Sequence, residues 1–175
     1  MKHNKSAVAK GIKLAVQLCA IALLILIDAL IKNAVAAHLR RDGHVTLIPG
    51  FIGLVYAENT GAAFSLFSSS TAMLSVFTAV VLIAGIILLI VLKNKPRIYD
   101  ICIPLLIAGG AGNLIDRIFR GYVIDYIETL FISFPVFNFA DCLITCSCIA
   151  VIIYLIWDIF AEHKRSKTAG EKSDG

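Results

Sequence analysis

Three short runs carry the side chains that could do chemistry: Gly109-Gly110-Ala111-Gly112-Asn113-Leu114-Ile115-Asp116-Arg117, Val123-Ile124-Asp125-Tyr126 and Phe137-Asn138-Phe139-Ala140-Asp141. They place three aspartates, two asparagines and an arginine in very apolar sequence. Polar groups there are costly unless paired or used. Asp116 has Arg117 beside it, and Asp28 has Lys32 four residues on, on the same helix face. A fixed cation keeps a carboxyl ionised. Asp125, between Ile124 and Tyr126, and Asp141, between Ala140 and Cys142, have no local cation. Two such carboxyls brought together can share one proton, one serving as base and the other as acid. A plainer role is also open: each aspartate caps a helix or bonds to backbone, and Asp141 stands near a helix start. Spacing alone leaves both readings standing.

Other chemistries find no support. The chain has no Gly-x-Ser-x-Gly elbow and no His-Glu-x-x-His. His3, His38, His44 and His163 lie outside the apolar runs. Cys19, Cys102, Cys142, Cys146 and Cys148 lie inside them without a Cys-x-x-Cys pair, which reads as small buried apolar residues. No metal site and no cofactor are expected. The glycines fail a dinucleotide fingerprint, because Ile115 stands at the third glycine position, and they read instead as sites of close helix approach.

The elements that must position these groups are membrane spans. The 175 residues are 59% hydrophobic, against roughly 45–50% in soluble domains. Four apolar runs, about 12–35, 72–92, 98–119 and 137–160, each have about the 20 residues needed to cross. Residues 1–165 read as one four-span domain and 166–175 as a polar cytoplasmic tail. The basic start followed by an apolar run imitates a secretory signal, but the run is too long for one and reads as a retained first span. In the loop 36–71, Val45 to Tyr56 is β-branched and aromatic around Pro49-Gly50, which predicts short strands and a turn. The segment 120–136 reads as a second loop.

Lys2, Lys5, Lys10, Lys13, Lys93, Lys95, Arg97, Lys164, Arg165, Lys167 and Lys172 share one side of a four-span chain. That asymmetry puts both termini in the cytoplasm and speaks of topology rather than nucleic acid. Asp28 and Lys32, Asn59 to Phe64, Asn113 to Arg117, and Asn138 to Asp141 then all meet at the outer end of the bundle. A proton-coupled transporter would spread charge through the membrane depth instead, and a structural subunit would leave so many buried polar groups without a reason.

The chain resembles the bacterial lipoprotein signal peptidases, signal peptidase II. Five blocks carry the likeness in order: Asp28-x-x-x-Lys32, Asn59-x-Gly61-Ala62-Ala63-Phe64, the 109–117 run, Val123-x-Asp125-Tyr126 and Phe137-Asn138-x-Ala140-Asp141. The departures are Ala29, where the family often has Gln, and Tyr126, where it often has Phe. The resemblance implies an all-α membrane protein of four transmembrane helices, with a small extracytoplasmic β-cradle in the first outer loop. It implies an aspartyl endopeptidase of the bacterial inner membrane that cuts prolipoproteins before a diacylglyceryl-modified cysteine, needs no metal and is blocked by globomycin. Asp125 and Asp141 match the catalytic pair. Asn59, Gly61, Asn113, Asp116, Arg117, Asn138 and Ala140 match supporting and substrate-binding positions. Asn113 and Asn138 are expected to hold the pair, Asn59 and Arg117 to contact substrate, and Asp28 with Lys32 to form a structural ion pair. The expected partners are the prolipoprotein signal peptide and membrane lipid, with the enzyme a monomer.

Overall fold

The computed structural model describes residues 2–41, 43–61, 71–91 and 96–171. Its order is α1 (Lys2–Leu39), β1 (His44–Ile48), β2 (Ile52–Asn59), α2 (Thr71–Val91), α3 (Arg97–Arg120), β3 (Val123–Thr129) and α4 (Phe139–Glu171). All four helices are long and apolar enough to cross a membrane. The backbone inside a bilayer must satisfy its own hydrogen bonds, and runs of Leu, Ile, Val and Ala do so as helices while presenting apolar side chains to lipid.

The helices differ in how they are covered. Ten residues of α3 are buried, whereas α2 has none. Glycines explain why α3 can be central. A methyl group on Gly109 would stand 2.5 Å from the Ala140 carbonyl oxygen of α4. One on Gly110 would stand 3.0 Å from Leu82 of α2, and one on Gly112 would stand 2.6 Å from the Asp28 carboxylate of α1. Within about one turn of α3, three glycines thus admit three neighbours, the close approach that small residues allow in membranes. Towards the end near the chain termini, Ile21, Ile103, Ile107 and Ala108 form an apolar core.

The helices reach further than the apolar runs predict. α1 begins at Lys2 and α4 continues to Glu171, so the polar segment expected as a tail is helical through 171. Lys, Glu and Ala are good helix formers and simply extend the spans. The expected turn at 49–50 is present between β1 and β2, and Gly50 adopts φ 70° there. The sheet has a third strand that sequence reasoning took as loop. β3 pairs antiparallel with β2, in the order β1-β2-β3, so the segment before α2 and the segment after α3 both build the sheet. Gly121, in the left-handed conformation at φ 82°, closes α3 and turns the chain into β3.

Candidate active site

Asp141 and Asn138 secure each other. Asn138 is the residue before α4. Its Oδ1 accepts from the Asp141 amide at 2.9 Å, and Asp141 Oδ2 accepts from the Asn138 amide at 3.1 Å. This reciprocal pair is a capping box, which satisfies two otherwise orphaned donors at the helix start. The helix-capping role that the sequence left open for Asp141 is therefore present. Asp141 Oδ1 accepts from Asn113 Nδ2 of α3 at 2.7 Å.

Asp125 comes from β3. Its Oδ1 accepts from Asn138 Nδ2 at 2.6 Å and its Oδ2 from Asn59 Nδ2 at 2.8 Å. A bulge in β2 between Leu54 and Ala57 sets the register that places Ala57 opposite Asp125. Each of the four carboxylate oxygens therefore has one fixed donor, and Asn138 serves both residues. Burial pushes the Asp125 carboxyl up to about 6, against donation from Asn59, with the charge of Asp141 adding to the rise.

The amide orientations are determined by their neighbours. Asn113 Oδ1 accepts from Lys32 Nζ at 2.9 Å and from Asn138 Nδ2 at 3.1 Å, which leaves its amino group for Asp141. Asn59 Oδ1 accepts from the Gly61 amide at 2.9 Å, which leaves its amino group for Asp125. Lys32, only 1% exposed, contacts Asp28 at 2.8 Å and Asp116 at 3.1 Å. Asp28 Oδ1 in turn accepts from the buried Ala140 amide at 3.2 Å.

Each of the eleven residues singled out from sequence therefore joins one connected network, with three differences. First, Lys32 is more than the partner of Asp28, because it also orients the asparagine that holds Asp141. Second, Asn59, expected on substrate, spends its amino group on Asp125. Third, the cations of Asp116 are Lys32 and Arg120, the latter at 2.9 Å, rather than Arg117. Adjacent helical residues point apart, whereas i,i+4 neighbours meet, so the Asp116–Arg120 spacing held the correct signal. Arg117 instead donates through its terminal nitrogen to the Gly61 carbonyl at 3.2 Å. Its buried Nε has no hydrogen-bond partner among the described residues. Ala62 to Phe64 of the second block lie outside the described residues.

Two further groups tie the elements together. Arg120 also reaches Asn33 at 2.6 Å, tying α3 to α1. The buried Tyr126 hydroxyl accepts from the amide of Phe139, the first residue of α4, at 3.2 Å. Among the described residues no three His, Cys, Asp or Glu side chains gather in a way that could hold a metal ion.

The family model for signal peptidase II matches residues 20–157, which contain this whole network. The chain belongs to the signal peptidase II family. A lipoprotein signal peptidase of Enterococcus faecalis is 37% identical over 137 residues, covering 78% of this chain and 85% of that protein. One of Lactobacillus johnsonii is 35% identical over 145 residues, covering 83% and 94%. Two solved bacterial membrane enzymes share the fold. One is 30% identical with a TM-score of 0.76, covering 83% of this chain and 90% of its own, and the other 28% identical with a TM-score of 0.70. Within this signal peptidase II chain, the departure at Tyr126 has a structural counterpart, since a phenylalanine could not accept from Phe139.

Proposed function

We propose that Asp125 and Asp141 form the catalytic pair of an aspartyl endopeptidase. It removes signal peptides from diacylglyceryl-modified prolipoproteins, cutting before the lipidated cysteine. The observation that carries this reading is the sharing of Asn138: one side chain and its own backbone amide hold both carboxylates in fixed positions. One aspartate takes a proton from a water, which attacks the scissile carbonyl, and the other donates a proton to the carbonyl oxygen. The tetrahedral intermediate then collapses, and a proton passes to the leaving amine. Fixed donors at each carboxylate suit this work, since preorganised groups need no rearrangement as charge moves. The Nε of Arg117, which has no hydrogen-bond partner among the described residues, is the group we assign to a substrate oxygen. The substrate enters from the lipid, and the enzyme works as a monomer that globomycin blocks.

We also propose that both termini are cytoplasmic and that the site lies near the outer leaflet. The support is the clustering of Lys and Arg at the loop and termini away from the site.

The test is incubation of purified protein with a diacylated prolipoprotein in detergent or nanodiscs. A product starting at the lipidated cysteine is expected, and its loss in Asp125→Asn or Asp141→Asn. Cleavage elsewhere, or unimpaired cleavage by either variant, would overturn the assignment. For topology, the five native cysteines are replaced and single reporters introduced. A reporter at Arg41 should react with an impermeant reagent outside intact cells, and one at Asn94 should not.

A further inference from the structure

The end of the sheet furthest from α3 carries a surface that the network does not use. Ile48 and Phe51 are exposed at the β1–β2 turn, and Leu130, Phe131, Ile132 and Phe134 are exposed after β3. These segments are built against each other. The Leu130 amide donates to the Phe51 carbonyl at 3.0 Å, and the rings of Phe51 and Phe131 stack with centroids 4.5 Å apart. Neither 45–57 nor 129–140 contains a single charged residue. Charge stands at the borders instead, in the pairs His44–Glu128 and Arg40–Glu58, each at 3.2 Å. The register also sorts the two faces. Thr46, Gly53 and Glu128 lie opposite one another on one face, and Val45, Leu54 and Ile127 on the other.

In water such a tip would be a hazard, because it joins a contiguous apolar patch to β1, an edge strand. Its exposure matches that of side chains facing lipid: Phe51 at 53% and Phe131 at 52% stand beside Ile87 of α2 at 54%. The patch is also tethered to the bilayer. Phe134 precedes Phe139, where α4 begins, by five residues, so it lies within about 18 Å of a membrane-crossing helix.

We infer that this tip is a foot seated in the bilayer, with Ile48, Phe51, Phe131, Ile132 and Phe134 entering the interfacial region of the leaflet at the site end. Apolar and aromatic side chains beneath a border of charges are what that region accepts. The charged border would suit a lipid headgroup layer or a protein rim, and the short tether from Phe134 to the membrane-crossing α4 favours the lipid. The inference does not depend on the proteolytic reading.

Tryptophan fluorescence of the full-length protein in nanodiscs, one copy per disc, tests it. In a Trp157→Phe background, single probes are introduced as Phe51→Trp, Phe131→Trp and Ile132→Trp. Arg41→Trp serves as a wet control and Phe119→Trp as a lipid-facing one. Phosphatidylcholine brominated near the head of its chains should quench the three tip probes several-fold more than the wet control. Aqueous acrylamide should do the reverse, and tip emission should be blue-shifted. The Ile132 probe lies outside the stacked pair, so a packing defect at Phe51 or Phe131 does not decide the outcome. Acrylamide quenching of all three tip probes equal to the wet control, with no effect of bromolipid, overturns the foot. Protection from acrylamide that appears only with two copies per disc assigns the patch to a second copy and overturns it equally.

Discussion

The two ends of the helix bundle are held by different means. At the site end, Lys32 is 1% exposed and satisfied by Asp28, Asp116 and Asn113. At the other end, Lys13 meets Asp100 with 43% of its side chain exposed, Gln17 donates to the Asp100 carbonyl at 2.9 Å, and apolar packing does the rest. Dispersion and burial have no preferred direction. Hydrogen bonds among buried groups do, and they leave little slack. Directional contacts are concentrated where two carboxylates are held, and at the other end apolar packing with a few exposed polar contacts suffices.

The largest effect should come from the carboxylates. Asp125→Asn or Asp141→Asn should each reduce cleavage by at least about a hundredfold, with the double variant little worse because the pair acts as a unit. Asp100→Asn should stay near wild type. A hundredfold loss from Asp100→Asn would erase the contrast between the ends.

Next come the two lysines. Lys32→Met leaves Asp28 and Asp116 without their shared cation, which should cost about 3–5 kcal/mol of stability. Adding Asp28→Asn should recover part of it. Lys13→Met should change stability by less than about 1 kcal/mol, since its pair is exposed. Reversible unfolding in mixed micelles measures all three, and equal losses for the two lysines would contradict the argument.

Asn138 separates folding from chemistry. Asn138→Ala should lose about 1–2 kcal/mol of helix capping as well as activity. Asn138→Asp keeps an acceptor for the Asp141 amide but loses the donor to Asp125 and adds a like charge. Its stability should exceed that of the alanine variant while cleavage stays low. Equal cleavage by Asn138→Asp and wild type would remove Asn138 from the positioning of Asp125.

The pH dependence sharpens the electrostatic side. If one shared proton is needed, the rate falls at low pH when both aspartates are protonated, and again at high pH when both are ionised. These limbs belong to the pair rather than to either residue. With Asp125 pushed up to about 6 by burial, the alkaline limb should lie at about 6 or above. Because the folded state holds that proton more tightly than the unfolded one, Asp125 contributes stability at low pH that is lost as pH rises through about 6. Asn59→Ala removes a bond that favours the ionised form, so it should move the alkaline limb further up. An unmoved limb would mean that the Asn59 bond does not govern the proton.

The smallest effect belongs to Tyr126→Phe. It removes one acceptor from the start of α4, worth about 1 kcal/mol, and should lower the melting temperature by a few degrees with little loss of rate.

Much of this was legible in sequence. The four spans announce themselves by apolar run length, and the network residues by the cost of polarity in such runs. Topology then brings them to one end. The third strand was not legible, because Val123 to Thr129 carries Asp125 and Glu128, and its partner β2 lies more than sixty residues earlier. Pairing at that distance leaves no local signature. The partners of Asp116 and Asn59 were missed for a related reason. A carboxylate or amide can be placed at a depth by helix rise, but which of several neighbours it faces depends on side-chain direction across three or four elements.

The burial of Lys32 also bears on how the protein is made. α1 is synthesised first and must enter the bilayer carrying Asp28 and Lys32, which can neutralise only each other. Asp116 and Asn113 arrive on α3, and the Ala140 amide that binds Asp28 arrives on α4. A truncated or wrongly threaded chain therefore retains unsatisfied charge in hydrocarbon. The groups that aim the aspartates thus also tie α1, α3 and α4 together, and a chain lacking one of these helices carries unpaired polarity within the membrane.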